Sequence, residues 1–273
     1  MTVGPETVTD AEAGGGARRT DRIPSFVHQR NRLTEGQQSA WERLWGRFGR
    51  DVEDLVGGRE PFAPAAWFGR EVPVVLEIGS GMGETTAALA AAAPEVDHLA
   101  VEVFEPGLAQ LLLRIEDAGL RNLLLLRGDA VALLDSCVPE GSLDGVRIFF
   151  PDPWPKRRHH KRRLVQPDFV ALAASRLRPE ATLHMATDWA DYAVQMREVA
   201  DAEPLLRRAA GVGPDGFLPR PAWRPVSKFE QRAVADKRAV SDLMYERVLH
   251  QGHADTLTVT MYKDSGTLPV SIE

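Results

Sequence analysis

The sequence has little of what stabilises small secreted domains or builds metal sites. Cys137 is the single cysteine among 273 residues, which excludes an internal disulfide framework and any zinc or redox site made of paired cysteines. No apolar run approaches the roughly 20 residues of a membrane-spanning helix, and the N-terminus lacks the basic-then-apolar order of a signal peptide. We therefore expect a cytoplasmic protein without a membrane span or a metal site, with Cys137 a small buried apolar side chain.

Positive charge is in the minority but is concentrated in one segment. The chain has 33 Lys and Arg against 39 Asp and Glu, a net charge of −6, which argues against a general nucleic-acid coat protein. Residues 156–163 nevertheless read KRRHHKRR, with six permanent cations in eight residues. A solvated run of charges is the alternative, but cations at this density repel one another unless an anion lies nearby. The segment therefore favours binding to a phosphate backbone.

Short apolar strands alternate with longer helices along most of the chain. The patterns predict strands at 73–79, 98–103, 122–128, 145–150 and 181–187, and helices at 39–48, 84–93, 108–119, 167–177 and 190–200. This alternation is typical of βαβ units and a parallel sheet. We predict one doubly wound α/β domain at 71–250, a helical N-terminal extension at 21–70, a disordered tail at 1–20 and a C-terminal tail at 251–273.

A glycine-rich turn follows the first predicted strand of the domain. Gly79, Gly81 and Gly83 are spaced GxGxG, not GxGxxG as in dinucleotide-binding enzymes. Glu77 precedes the turn and Glu84 opens the next helix. Two carboxylates disfavour a pyrophosphate at this helix N-terminus. The turn therefore favours a cationic or hydroxyl-rich ligand.

Two more carboxylates follow the next two predicted strands. Glu102 stands where an acidic residue can accept both hydroxyls of a ribose, and Asp129 stands where it could accept from an adenine amino group. A ribose and an adenine beside carboxylates, without a diphosphate, indicate S-adenosylmethionine. The alternative is a glycine turn that only packs helix on strand, with solvated acids around it. That alternative does not account for acids at three successive strand ends.

A proline-rich loop, FFPDPWPK at 149–156, follows the fourth predicted strand. Its three prolines hold Asp152 and Trp154 on a stiff segment above the sheet. An acid beside an aromatic in this place resembles the loop of amino-group methyltransferases in which a base stacks and accepts or donates hydrogen bonds. The alternative is a turn-stabilising aspartate and a surface-packing tryptophan.

The sequence resembles the bacterial tRNA (guanine-N7-)-methyltransferases over about residues 20 to 250. The shared segments are RIPSFVHQRNRLTEGQ (22–37), LEIGSGMG (76–83), AVEVF (100–104), GDA (128–130), FFPDPWPKRRHHKRRLV (149–165), ATDWADY (186–192), SKFEQR (227–232) and DLMYER (242–247). The resemblance implies a class I, Rossmann-like fold and methyl transfer from S-adenosylmethionine to N7 of a guanine in the tRNA variable loop, usually position 46. No protein partner is implied.

The resemblance also implies roles for individual residues. Those expected to line the cofactor and catalytic region are Glu77, Glu102, Asp129 and Asp152, and those expected to contact the substrate are Lys156, Asp188, Ser227, Lys228, Phe229 and Glu230. Asp152 is the candidate catalytic residue: guanine N7 needs no general base and becomes cationic on methylation, so Asp152 either stabilises that charge or accepts a hydrogen bond from the guanine amino group. Arg158, Lys161, Arg162 and Arg163 are expected to contact phosphates.

The segment 227–230 is interpreted as one wall of the guanine pocket, with Glu230 reading the base and Arg224 and Arg232 attracting phosphate. The alternative is a short surface strand with Phe229 buried and Lys228 paired with Glu230. Three positions depart from the family pattern after this segment: Ala233, Lys237 and Arg238 replace Gly, Gly and His. Ser227 replaces the usual threonine and keeps the hydroxyl.

Three other functions remain open on the sequence. A small-molecule methyltransferase would keep the glycine turn but has no need of the KRRHHKRR segment. An RNA-binding module without activity does not need the acids at the strand ends. A nicotinamide oxidoreductase is disfavoured by the GxGxG spacing and by the absence of a set of proton-relay residues.

Overall fold

The computed structural model describes residues 32–59 and 61–249. The tails predicted at 1–20 and 251–273 lie outside the described residues. No helix in the described part of the chain is long and apolar enough to cross a membrane.

The described residues form eight strands, nine α-helices and one 3-10 helix. The strands are β1 (Gly49–Asp51), β2 (Val74–Ile78), β3 (Asp97–Glu102), β4 (Leu123–Arg127), β5 (Leu143–Phe149), β6 (Leu177–Thr187), β7 (Leu206–Arg208) and β8 (Ser241–Arg247). The α-helices are α1 (Glu35–Phe48), α2 (Val52–Val56), α3 (Pro64–Phe68), α4 (Glu84–Ala92), α5 (Glu105–Ala118), α6 (Ala130–Ser136), α7 (Pro167–Arg176), α8 (Ala190–Asp201) and α9 (Lys228–Ala235). The 3-10 helix spans Arg157–Arg162.

The strands form one sheet in the order β1-β4-β3-β2-β5-β6-β8-β7. β8 is antiparallel to both of its neighbours, and the other pairs are parallel. The chain moves outward from β2 through β3 to β4 and then crosses back to β5 on the other side of β2. The predicted doubly wound, Rossmann-like sheet is confirmed. Its order reverses at β2, and a crevice for ligands is expected at the carboxyl end of that strand.

The helices form two groups that bury the sheet. α1 and α4 both contact α5, whereas α6 contacts α2 and α7. β3 is buried along its whole length, as expected for a strand covered on both faces. Leucine and valine side chains of β2 to β6 fill one continuous core, and the half-buried Cys137 packs against it. Burial raises the pKa of the Cys137 thiol.

The described part of the N-terminal extension contains the helices α1, α2 and α3 and also the strand β1, which the sequence patterns did not predict. Its first helix, α1, begins at Glu35 behind a capping box in which Thr34 and Gln37 satisfy each other's backbone N–H groups. β1 then pairs in parallel with β4 at the edge of the main sheet. Stacked Trp41 and Trp45 side chains lie under the Arg127 guanidinium, which joins α1 to β4. The extension is therefore part of the same domain.

The five predicted strands and five predicted helices are all present, with shifted ends. β6 shows the largest shift among the strands, since it begins at Leu177 rather than at 181. The sequence patterns did not predict β1, β7, β8, α2, α3, α6 or α9. These are mostly short elements whose place depends on packing against the sheet, and short runs carry little periodicity of their own.

Candidate active site

A cavity of about 500 Å³ opens at the carboxyl ends of β2, β3, β4 and β5. Its wall includes residues 77–85, 101–104, 128–130 and 149–152, together with Leu164 and residues 227–229 and 232. The volume is within the range usual for small-molecule and cofactor sites. The cavity lies at the carboxyl end of β2, where the order of the sheet reverses, as the topology predicts.

The glycine turn forms the floor of this cavity. Gly79 and Gly81 have φ values of 80° and 54°, a left-handed conformation that favours glycine, and a Cβ on either would meet only open space. The turn is packed tightly on its other side, because a Cβ on Gly107 of α5 would collide with the Gly81 carbonyl. Gly83 caps the N-terminus of α4. The glycines thus let the chain turn sharply and leave room for a ligand above it.

Glu102 holds the glycine turn in place from the end of β3. Its Oε2 accepts from the Gly81 N–H at 2.8 Å, and its Oε1 accepts from the N–H groups of Val103 and Phe104 at 2.7 and 2.9 Å. A carboxylate has about four lone-pair sites. Three of these sites are occupied, so about one remains, on Oε2, for a ligand hydroxyl.

Glu77 brings a nearly buried carboxylate to the same wall. Its side chain is 5% exposed, and Oε1 accepts from Thr86 Oγ1 at 2.9 Å. Oε2 is buried and has no hydrogen-bond partner among the described residues. Burial raises the pKa of Glu77 to about 7, although the Thr86 hydrogen bond and the charge of Arg147 act in the opposite direction. An acid buried without a full set of partners fits a ligand that brings positive charge or a donor.

Asp129 and Glu84 complete the acidic side of the cavity, and each also serves the protein. Asp129 caps the N-terminus of α6 by accepting from the Val131 N–H at 3.0 Å. Glu84 pairs with Lys228 Nζ at 2.7 Å and with Arg114 at 3.0 Å. The hydrogen bond from Lys228 is the main reason that the pKa of Glu84 is lowered. The Lys228–Glu84 ion pair therefore joins α9 to α4 at the cavity.

The proline-rich loop places Asp152 in the cavity wall and turns Trp154 away from it. Phe150 and Trp154 have φ values of 53° and 43°, so the chain bends back at both residues. Trp154 packs under the Arg162 guanidinium and against the edge of His159, and it is not part of the wall. The aromatic residues that do line the cavity include Phe150 and Phe229. Trp154 therefore does not line this cavity, and the expectation that a base stacks on it stays a prediction.

Asp152 is exposed to solvent on one side and accepts no hydrogen bond from any described residue. Desolvation by the surrounding chain raises the pKa of its carboxyl. A carboxylate without a partner at a cavity wall is suited to interact with positive charge on a ligand.

Most of the basic segment faces solvent beside the cavity. Lys156, Arg158 and Lys161 are exposed on or next to the 3-10 helix, and Arg162 is partly covered by Trp154. Asp152 and Leu164, which flank the segment, both line the cavity. The three exposed cations, Lys156, Arg158 and Lys161, therefore lie on a segment whose two flanks reach the cavity wall, and they are called the cationic rim below.

Arg163 is a correction to the prediction of four phosphate contacts. Its guanidinium is buried and donates to the Pro153 carbonyl at 2.8 Å, to Gln195 at 2.8 Å and to Asp191 at 2.6 Å. It also lies over the Tyr192 ring. Arg163 therefore ties the loop to α8 and is not available to a phosphate.

The segment 227–230 begins helix α9 and is not a surface strand. Ser227 caps the helix by accepting from the Glu230 N–H at 3.1 Å, and Phe229 is 54% exposed and stacks on Phe150. Ser227, Lys228 and Phe229 line the cavity, as the pocket-wall interpretation predicts. An S-x-x-E sequence is a helix-start signature that could have predicted α9.

Glu230 is the second correction. Its side chain is 7% exposed and is not part of the cavity wall. It pairs with Arg224 at 2.8 Å and with Arg220 at 3.3 Å. Arg224 is itself fully buried, so it does not attract phosphate. In this structure Glu230 therefore pairs with the two arginines and does not face the cavity.

Asp188 also has a partner within the chain. Arg238 donates to its carboxylate from Nε and Nη2 at 3.0 and 2.8 Å. Arg238 is one of the positions that depart from the family pattern, and its neighbour Lys237 has a φ of 55°, a conformation that favours glycine. Asp188 lies outside the cavity wall. The structure does not bring it together with the other predicted site residues.

Arg147 is a half-buried charged residue that no sequence motif pointed to. It lies in strand β5, in register with Glu77 of β2 and His184 of β6. Its guanidinium lies over the Trp223 ring and contacts His98 Nδ1 at 3.5 Å. A charged residue in the middle of a predicted buried strand requires partners. Its presence in the sequence was the one feature that could have marked Arg147 as a residue of interest.

Comparison with known proteins decides the family. A family model described as a putative methyltransferase matches residues 71–243. A tRNA (guanine-N(7)-)-methyltransferase of Bordetella parapertussis is 50% identical over 225 residues, which are 82% of this chain and 85% of that protein. The chain belongs to the tRNA (guanine-N7-)-methyltransferase family. Relatives with the same description from Mycobacterium sp. (strain KMS) and Paracidovorax citrulli are 51% and 48% identical, over 85% and 89% of this chain and 83% and 96% of theirs.

The resemblance inferred from the sequence motifs is therefore confirmed. Among solved structures, the 16S rRNA methyltransferase KamB aligns with a TM-score of 0.49 and 16% identity, over 70% of this chain and 96% of that one. The cavity-lining acids of this chain are Glu77, Glu102, Asp129 and Asp152. They lie at or shortly after the carboxyl ends of β2, β3, β4 and β5, respectively.

Proposed function

We propose that this protein transfers a methyl group from S-adenosylmethionine to N7 of guanine 46 in the variable loop of tRNA, giving 7-methylguanosine, in the cytoplasm. The observation that carries the proposal is the cavity at the reversal of the sheet, which combines four carboxylates with a rim of exposed cations. Membership of the family supports the choice of tRNA as the substrate.

The cavity fits S-adenosylmethionine on the chemistry of its wall. The unpartnered Oε2 of Glu77 suits a cationic group, and the remaining lone-pair site on Glu102 Oε2 suits a ribose hydroxyl. Asp129 is placed to accept from an adenine amino group, and the open space above Gly79 and Gly81 leaves room for the ligand. The cofactor supplies an electrophilic methyl group on its sulfonium.

Asp152 acts on the base rather than on a proton. Guanine N7 carries a lone pair and no hydrogen, so no general base is needed to create the nucleophile, and catalysis rests mainly on positioning. The purine becomes cationic as the new bond forms. A carboxylate in the cavity wall then stabilises the transition state more than the ground state.

The cationic rim holds the RNA while the base enters the cavity. N7 in an A-form helix faces a deep and narrow groove that side chains do not enter, so the target guanine must be unstacked. Lys156, Arg158 and Lys161 would contact the phosphates on either side, and Phe229 would offer its exposed ring to the base.

Cofactor affinity is expected to depend on pH through Glu77. Its pKa is about 7, above the ordinary value, so the free protein holds a proton that a cationic ligand displaces. The dissociation constant for S-adenosylmethionine should therefore fall by about fivefold as the pH rises from 6 to 7. Calorimetry at the two pH values measures this change. In Glu77→Gln the dependence should vanish, and an unchanged dependence would show that another group titrates.

The salt dependence of tRNA binding tests the cationic rim. Replacing Lys156, Arg158 and Lys161 with glutamine should reduce the slope of log affinity against log salt by about 0.7 for each phosphate that the variant no longer binds, without changing the melting temperature. Arg163→Gln is the matched comparison. Because Arg163 is buried in the loop, this variant should keep the slope and melt about 5 °C lower. An unchanged slope in the triple variant together with a reduced slope in Arg163→Gln would mean that the anion site lies elsewhere.

Methyl transfer itself is tested with radiolabelled S-adenosylmethionine. An unmodified tRNA transcript should become labelled, whereas the same transcript with adenine at position 46 should not. Labelling of both transcripts would contradict the assigned position, and labelling of small molecules in an RNA-free extract would favour a small-molecule methyltransferase.

A further inference from the structure

The chain leading into α9 has few backbone contacts that fix its position. Leu218 makes an isolated bridge to Asp242 of β8, with its N–H donating to the Asp242 carbonyl at 3.0 Å. Prolines at 219, 221 and 225 then remove backbone donors from the rest of the segment. Side chains must therefore set the position of the segment that ends in Ser227, Lys228 and Phe229.

Arg224 makes most of these side-chain contacts, and Arg220 adds a hydrogen bond to the Arg224 carbonyl and a contact with Glu230. Arg224 is fully buried, and its Nε and Nη2 donate to the two carboxylate oxygens of Asp242, each at 2.8 Å. Its Nη1 donates to Glu230 Oε2 at 2.8 Å. Asp242 is fixed in turn by His184 Nε2 at 2.8 Å in the neighbouring strand β6. One guanidinium therefore links the antiparallel part of the sheet to the first turn of α9.

The same guanidinium supports the aromatic side of the cavity. It lies 5.8 Å from the ring centres of both Phe149 and Phe150 at the end of β5. Phe150 stacks on Phe229 with ring centres 6.0 Å apart. Arg224 thus contacts both the strand that leads to Asp152 and the helix that carries the cavity wall.

We propose that Arg224 is a positioning residue for tRNA, acting through Glu230 and Phe150 to hold the start of α9 where the target base is received. The proposal rests on the proposed function. It explains why Glu230 lies next to the cavity wall without joining it. Lysine cannot replace the arginine. A single ammonium group cannot form the two parallel hydrogen bonds to the Asp242 carboxylate and also the hydrogen bond to Glu230.

The central test compares Arg224→Lys with the wild type in steady-state methylation. We expect the KM for tRNA to rise at least tenfold while kcat at saturating tRNA stays within threefold, because saturating substrate restores the position of α9. The dissociation constant for S-adenosylmethionine should stay within twofold. Arg207→Lys is the matched control, since Arg207 pairs with Glu246 of the same strand β8 at the surface, and its KM should not change.

A second variant keeps the test decisive if Arg224→Lys does not fold. Glu230→Gln retains the shape of the side chain and the helix cap, and it should raise the KM for tRNA at least threefold with the cofactor affinity unchanged. Where both variants fold, the double variant should be no more than about twofold worse than Arg224→Lys, because both changes break the Arg224–Glu230 pair and the Arg220–Glu230 contact that Glu230→Gln also removes is partly exposed to solvent.

Two outcomes would overturn the inference. A folded Arg224→Lys or Glu230→Gln protein with the wild-type KM would show that Arg224 does not position the substrate. An equal loss of cofactor and tRNA affinity would show a general structural role instead. Absence of tRNA methylation by the wild type is a separate result, since it contradicts the proposed function before the variants are compared.

Discussion

Asp152→Asn is expected to lower kcat for tRNA methylation about a hundredfold. Asparagine keeps the shape of the side chain and its capacity for hydrogen bonds, but it removes the negative charge that faces the purine as the purine becomes cationic. Single electrostatic interactions made only in the transition state commonly have effects of this size. Steady-state kinetics at saturating tRNA and cofactor measure the change.

The variant should otherwise resemble the wild type. No described residue donates a hydrogen bond to Asp152, so its melting temperature should change little, and cofactor affinity should stay within about twofold. Asp168→Asn, an exposed aspartate in the first turn of α7, is the matched control and should keep full activity. Wild-type turnover by Asp152→Asn would show that Asp152 has no electrostatic role.

Glu102→Ala is expected to weaken S-adenosylmethionine binding by at least tenfold. The loss of charge-assisted hydrogen bonds to ribose hydroxyls typically costs about 1.5–3 kcal/mol. The structure adds a second reason, since Glu102 also accepts from the Gly81 N–H and so maintains the glycine turn. Calorimetry with the folded variant measures the affinity.

Glu95→Ala provides the comparison for Glu102→Ala. Glu95 is exposed and precedes β3, whereas Glu102 ends the same strand inside the cavity wall. Its removal should leave cofactor affinity unchanged. If Glu102→Ala bound the cofactor as tightly as Glu95→Ala does, the ribose assignment would be wrong.

The sheet and the cofactor side of the cavity were predictable from the sequence for a physical reason. Strands that are buried on both faces read as continuous apolar runs, and the residue that follows each run must emerge at one edge of the sheet. Glu77, Glu102 and Asp129 could therefore be placed together without coordinates. The structure confirms that they line one cavity.

The substrate side was less predictable because charge in a sequence does not reveal which charges have partners. Arg163 and Arg158 belong to the same basic segment, yet one is buried against α8 and the other is exposed. Glu230 and Arg224 looked suited to bind the substrate and instead pair with each other in the interior. Such pairs depend on packing between distant elements, which local spacing does not encode.

Chemical mapping of the methylated tRNA tests the central claim most directly. The protein is incubated with S-adenosylmethionine and an unmodified transcript, the product is treated to cleave at 7-methylguanosine, and the cut is located by primer extension. With the wild type we predict one cut, at position 46. With Asp152→Asn the same cut should appear at about one-hundredth of the wild-type rate. Methylation without a base-labile site, or a cut at another guanine, would contradict the account.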